Sequence, residues 1–162
     1  MTEAFTAKHF WGAQGMRAIG SAIVTTEGPS GPAGFLALST SHLTAEPPIM
    51  TVAVGQSTSA LGDIRKSGAF AINYLASDAK HVLNRFVGRD APKGAERFAG
   101  LDCSRLETGA PILPGTVGAM DCRLEEEVER YGTILLFGRI LSVVQDGDAR
   151  PLVHFGKSVL SI

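Results

Sequence analysis

The chain has 162 residues, 44% of them hydrophobic and 19% charged, with 15 Lys+Arg set against 16 Asp+Glu. That length suffices for one domain, 1–162, with a sizeable core, and the balanced charge excludes a nucleic-acid surface or an anionic membrane as partner. Small molecules and other proteins remain as the expected partners.

The predicted elements run as follows. A weakly amphipathic helix is expected over residues 8–19, then strands at 21–26 (SAIVTT), 34–39 (GFLALS) and 49–55 (IMTVAVG). Between the first two strands, TTEGPSGPAG (25–34) reads as a hairpin loop stiffened by Pro29 and Pro32. A short helix starts near Ser59 and stops at Gly68; a strand follows at 69–75, then a helix over 78–88 with Asp78 as N-cap and Gly88 as stop. The last three strands are expected at 118–129, 133–145 and 151–155. In the first of these, Met120, Cys122 and Leu124 alternate with Asp121, Arg123 and Glu125, which predicts one face in the core and one in water; Glu125, Glu126 and Glu127 read as a solvated strand end. Glycine, at 19 of 162 residues, lies mostly between short β-rich runs, as many tight turns require. Many strands with few helices argue for an all-β dominated barrel with minor α, since closure removes sheet edges.

Cys103 and Cys122 are too far apart for a CxxC motif, and neither a secretory leader nor an apolar run of membrane length is visible. A reduced, cytoplasmic protein without a membrane anchor is expected. The sequence carries no G-x-S-x-G elbow, no H-E-x-x-H and no close histidine pair, so neither a nucleophilic catalytic residue nor a metal site is assigned.

Two stretches could hold a ligand. In GQSTSALGDI (55–64), Ser57, Thr58 and Ser59 precede a short helix, where they either cap it or cradle a phosphate with help from free N–H groups. In GFLALSTSHLTAEPP (34–48), Ser39, Thr40, Ser41 and Thr44 either bond to their own backbone or face a ligand. Both flank the strand at 49–55, so together they could hold a planar ring and its phosphate tail. Trp11 reads as a packing anchor in preference to a ring-stacking residue, and His9 and His81 read as helix-surface residues.

These pieces, in order, resemble the short-chain flavin reductase family. They are MRAIGSAIVTT, GFLALSTSHLTAEPP, GQSTSALGDIRKSGAFAINYL, RFVG, ERFAG, TGAPIL, DC and the closing PLVHFGK. The resemblance spans about Met16 to Lys157 and implies an FMN-binding split β-barrel, Greek-key-like, with a few short helices. It implies FMN, or FAD, bound at a homodimer interface, with NADH or NADPH as co-substrate and a monooxygenase component as a further partner. The flavin would meet Leu36, Ala37, Leu38, Ser39, Ser41, His42, Leu43 and Thr44; its phosphate would meet Ser57, Ser59 and Ala60; Arg85 and Phe86 would also touch it. Thr133, His154, Phe155 and Gly156 would lie on the nicotinamide side.

The activity implied is hydride transfer from nicotinamide C4 to flavin N5, in which the protein aligns two rings and fixed N–H dipoles favour the reduced flavin. The alternative is a flavin carrier or electron-transfer protein without reductase activity. Several positions depart from the family pattern: Leu36 replaces a frequent Thr, Leu38 and His42 frequent Ser, Ala60 a frequent Thr, and Thr133 a frequent His. Each of the first four loses a hydroxyl. His42 is read either as placing an imidazole near the ring edge or as a surface or dimer-contact residue.

Overall fold

The computed structural model describes residues 4–162. Helix α1 (Ala7–Gln14) opens it, followed by strands β1 (Ile19–Gly20), β2 (Ala22–Gly28), β3 (Gly31–Ala37), β4 (Thr40–Thr44) and β5 (Ile49–Gly55). Helix α2 (Ala60–Ser67), strand β6 (Ala69–Leu75), helix α3 (Lys80–Leu83) and a 3-10 turn at Gly94–Phe98 come next. Short strands β7 (Ser104–Arg105) and β8 (Pro111–Ile112) lead into the long pair β9 (Thr116–Arg130) and β10 (Thr133–Gln145), and β11 (Leu152–Phe155) and β12 (Ser158–Ser161) end the chain.

Seven strands form one antiparallel sheet in the order β3-β2-β6-β9-β10-β5-β4. The sheet curls around a core that alternate residues supply: Ala22 and Val24, Phe70 and Ile72, Met50, Val52 and Val54, Ile134 and Leu136. This is the period of two that a pleated strand imposes. Leu61 and Ile64 of α2 fill the same core, and Gly68, at φ +68°, stops that helix as expected. The two edge strands, β3 and β4, are consecutive in the chain. No ladder joins them, so the barrel is split rather than closed, and the chain itself crosses the seam at Leu38 and Ser39.

Several expectations change. Residues 25–34 are not a loop: β2 and β3 pair through them, Thr26 to Ala33 and Glu27 to Pro32, leaving Pro29 and Ser30 as the turn. Gly31, at φ +102°, makes that reversal, and Pro32 is tolerated because β3 is an edge strand. Residues 40–44, expected as loop, form edge strand β4 against β5. The first helix is shorter than 8–19, starting at the Thr6 cap, where Thr6 and His9 form a capping box, and ending at Gly15. The helix expected over 78–88 keeps only α3, and Asp78 does not cap it. Strand β12 was not foreseen.

The second face of the sheet is not simply wetted. Ile23, Leu75 and Leu113 pack with Val82, Leu83, Phe86 and Phe98 in a second apolar cluster, so β2 and β6 are buried on both sides. Asp121, expected in water, is 0% exposed. The segment around 106–112 covers it, and its carboxylate accepts hydrogen bonds from the Thr108 N–H at 2.8 Å and from the Thr108 hydroxyl. A buried carboxylate requires such partners. Glu125, Glu126 and Glu127 are exposed as expected, with Glu125 paired to Arg139 and Glu127 to Arg65 at 2.8 Å. Among the described residues, no helix is long and apolar enough to cross a membrane, and no group of three His, Cys, Asp or Glu could hold a metal.

Both cysteines are free. Burial, and secondarily Asp121, pushes the Cys122 thiol up to about 12, and burial also raises Cys103. Since the thiolate is the reactive form, native protein is expected to react slowly with a thiol reagent at neutral pH, first at half-buried Cys103. Cys122 should react only on unfolding. Immediate reaction of both thiols in native buffer would contradict this placement.

Candidate active site

Leu38 and Ser39 cross the barrel seam and open onto a cavity of about 500 Å³. The other walls come from α1 and the residues after it (Phe10, Trp11, Arg17) and from the β11–β12 hairpin (His154, Phe155, Lys157). Two backbone contacts hold these walls together. Ile19 pairs with His154 in the β1–β11 ladder, and the Gly156 N–H donates to the Gly15 carbonyl at 2.9 Å. Gly156 has φ +63°, a conformation that glycine adopts without strain. Space is also tight there: a Cβ on Gly15 would lie 3.3 Å from the Gly156 carbonyl oxygen.

The cavity joins an apolar wall to a polar one. Among the described residues, Arg17 and Lys157 are its charged residues and no carboxylate lines it. Nε2 of His154 is buried without a hydrogen-bond partner, and burial lowers the pKa of this imidazole below the usual histidine range, so at neutral pH it is uncharged. His154 lines the cavity as a residue, while its Nε2 is itself enclosed by protein. Trp11, expected as a packing anchor, is instead 70% exposed and forms part of the wall.

The residues singled out from the sequence fall into three places. Leu38, Ser39, His154, Phe155 and Gly156 meet at the cavity. Leu36 and Ala37 lie just behind it, Ala37 buried in the barrel core and Leu36 packed on the second cluster. His42 and Leu43 are exposed on β4, while the Ser41 and Thr44 hydroxyls donate to the backbone carbonyls of His42 and Glu46. The Ser39 backbone carbonyl accepts from the Ala53 N–H at 3.0 Å, which fixes the seam against β5.

The second place is the turn between β5 and α2, which holds Ser57, Ser59 and Ala60. Ser59 occupies the N-cap position but its side chain makes no capping hydrogen bond. The plain-cap reading of this hydroxyl is thereby set aside, and in the first turn of α2 the Leu61 N–H donates to the Thr58 carbonyl at 3.0 Å. Ala60 is buried, so only its backbone could reach a ligand. Thr133 belongs here too: it is opposite Gly55 at the start of β10, away from the cavity walls.

The third place is a brace. Arg85 donates to the carbonyls of Ala99, at 2.7 Å, and Arg97. Phe86 is buried edge-on against Phe98, with the Arg97 guanidinium 5.7 Å above its ring. Arg97 in turn donates to the Gly34 carbonyl at 2.8 Å, so this segment supports β3 from outside. Sequence reasoning missed Phe10, Arg17 and Lys157 as cavity residues and preferred packing to ring stacking for Trp11. An aromatic pair on a helix with little apolar periodicity, and a cation just beyond its end, was the available signal.

A curled, split antiparallel barrel with this arrangement at its seam belongs to a defined class of flavin-binding folds. Residues 17–162 match the flavin reductase like domain family, and the chain belongs to it. It is 37% identical over 135 residues to the FMN reductase (NADH) RutF of Ancylobacter novellus, covering 83% of this chain and 74% of that protein. It is 31% identical over 153 residues to HsaB of Rhodococcus jostii, the reductase subunit of a flavin-dependent monooxygenase, covering 94% and 76%. A solved structure from Haemophilus somnus 129PT, assigned to the flavin reductases, superposes with a TM-score of 0.92 at 25% identity, over 98% of this chain and 100% of that one.

Proposed function

We propose that this chain, acting as one domain over 1–162, is an NAD(P)H-dependent flavin reductase that passes a hydride from a nicotinamide nucleotide to FMN or FAD. The observation that carries the reading is the cavity at the seam. There the flavin segment, at Leu38 and Ser39, meets the nicotinamide segment, at His154 to Gly156, although more than a hundred residues separate them in sequence. The names of the relatives support the same chemistry, one an NADH-dependent FMN reductase and one a monooxygenase reductase subunit.

The residues present fit a flavin. The start of α2, where no side chain caps the helix, offers the Ser57 and Ser59 hydroxyls and the helix N-terminus to a phosphate, and the seam offers Ser39 and an apolar wall at Leu38 to a ring. The flavin, when bound, supplies the redox chemistry. The protein's part is to stack and orient the two rings and to keep water from them. Loss of hydroxyls at Leu36, Leu38 and Ala60 leaves backbone N–H groups to do more of the holding, and each missing hydrogen bond costs about 1 kcal/mol in affinity.

Thr133 motivates the alternative of a flavin carrier without reductase activity. Its position against Gly55 argues otherwise, since the cavity has an imidazole of its own in His154. The reading carries with it a cytoplasmic homodimer that hands reduced flavin to a monooxygenase component. Exposed Leu43, Val143 and Val144 offer apolar surface for a protein contact. The test is oxidation of NADH or NADPH by purified protein with and without added FMN or FAD. Flavin-dependent loss of nicotinamide absorbance is expected; its absence with every pairing would overturn the proposal.

A further inference from the structure

We infer that helix α1 is part of the nucleotide site, with Trp11 stacking on the nicotinamide or adenine ring and Arg17 and Lys157 taking the phosphates. This rests on the reductase reading and assigns residues that no flavin-binding segment of the sequence includes.

Helix α1 buries none of its residues, and Phe10 and Trp11 are 44% and 70% exposed. A helix of eight residues with no buried face gains little from packing. It is held over the cavity by a direct backbone bond from Gly156 to Gly15 and by the short β1–β11 ladder that follows. Its aromatic residues therefore face a cavity rather than a core, where they contribute stacking surface to a bound ring.

The charge pattern narrows the ligand. Among the described residues the lining has two cations, one imidazole and no carboxylate. That combination suits a molecule with a planar ring, a group able to donate or accept a hydrogen bond, and one or more phosphates. A flavin also has these features, but the turn offered to its phosphate, at Ser57 and Ser59, lies outside this cavity, which touches the flavin segment only at Leu38 and Ser39. Hydride transfer requires two rings in face contact, so the second ring's compartment must share a wall with the first. Leu38 and Ser39 are that shared wall, and the nucleotide is the occupant of the remaining space.

Trp11 is the chain's one tryptophan, so its emission reports on the cavity directly. NADH titrated into the protein, with and without FMN, is expected to quench Trp11 with sensitised emission from the bound nucleotide. Steady-state assays of Trp11→Ala, Arg17→Ala and His154→Ala should show the KM for the nucleotide raised about tenfold, with the flavin Kd changed less than about twofold. His154→Phe, which keeps a ring in the cavity wall, should recover most of the His154→Ala loss, which separates lining of the site from general damage to the hairpin.

The inference is overturned if these variants weaken flavin binding instead, if they change neither constant, or if Trp11→Ala alters the oligomeric state and leaves the nucleotide KM unmoved. Should no flavin support turnover, the reductase reading fails. The NADH titration then decides this inference alone, with saturable Trp11 quenching supporting it and no quenching overturning it.

Discussion

Replacing Asn73 by alanine is expected to cost about 3 kcal/mol and to lower the unfolding midpoint by about 6–12 °C for a chain of this size. Asn73 is fully buried on β6 and joins three parts of the fold. Its Nδ2 donates to the Ile23 carbonyl at 3.1 Å and to the Thr25 hydroxyl at 3.0 Å, both on β2. Its Oδ1 accepts from the Leu113 N–H at 2.9 Å, while the Thr25 hydroxyl donates to the Pro111 carbonyl at 2.6 Å. Alanine would leave the Leu113 donor and the Ile23 acceptor without the side-chain partner that seats the 110–113 segment on the sheet, in a place water reaches poorly. Asn73→Asp separates the roles, since a carboxylate can still accept from Leu113 but cannot donate to Ile23 or Thr25; it should be no more stable than the alanine variant. A midpoint within about 2 °C of the parent for Asn73→Ala would show that the network contributes little.

Replacing Gly138 by alanine should be comparably damaging, for a steric reason. A Cβ at this position would lie 2.4 Å from Cζ and 2.9 Å from Cε1 of Phe70, and 3.0 Å from Cβ of Cys122. Phe70 is fully buried in the barrel core and its ring has no free space to retreat into. Gly138 sits at an irregularity in the β9–β10 register, where the ring lies over the bare backbone. Overpacking of this kind costs about 3 kcal/mol. Shortening the partner should relieve it, so Gly138→Ala with Phe70→Leu is expected to lose less than the sum of the two single changes. Gly62→Ala is the control: nothing lies within 4 Å of a Cβ there, and on a helix it should stabilise by about 0.5–1 kcal/mol. Strict additivity of the Gly138 and Phe70 changes would contradict the contact.

Much of this was legible in the residues, and the failures share a cause. Strand β10 came out of the apolar pattern with its observed ends, and Ser59 and Gly68 marked the limits of α2, because both features are local. Asp121 was misjudged because alternation tells which residues share a face, not what covers that face; its cover is a segment around Thr108, more than ten residues away in sequence. The 25–34 region misled through its prolines and glycines, which an edge strand and a two-residue turn accommodate. The cavity wall on α1 was missed for the opposite reason. Packing was preferred to ring stacking for Trp11, and only the tertiary arrangement shows it lining one cavity with His154 and Lys157. Of the stretch proposed for the flavin, Leu38 and Ser39 line the cavity, but the hydroxyls that drew attention to it divide: those of Ser41 and Thr44 turn to their own backbone.

The central claim is that the seam brings a flavin and a nicotinamide together so that a hydride can pass. Anaerobic rapid mixing of FMN-loaded protein with NADH, and separately with NADPH, tests it most directly by following the visible absorbance of the oxidised flavin. Bleaching that saturates with nucleotide concentration, and that far outpaces free FMN under the same conditions, is the predicted result. Flavin that binds the protein yet keeps its oxidised absorbance with both nucleotides would contradict the account.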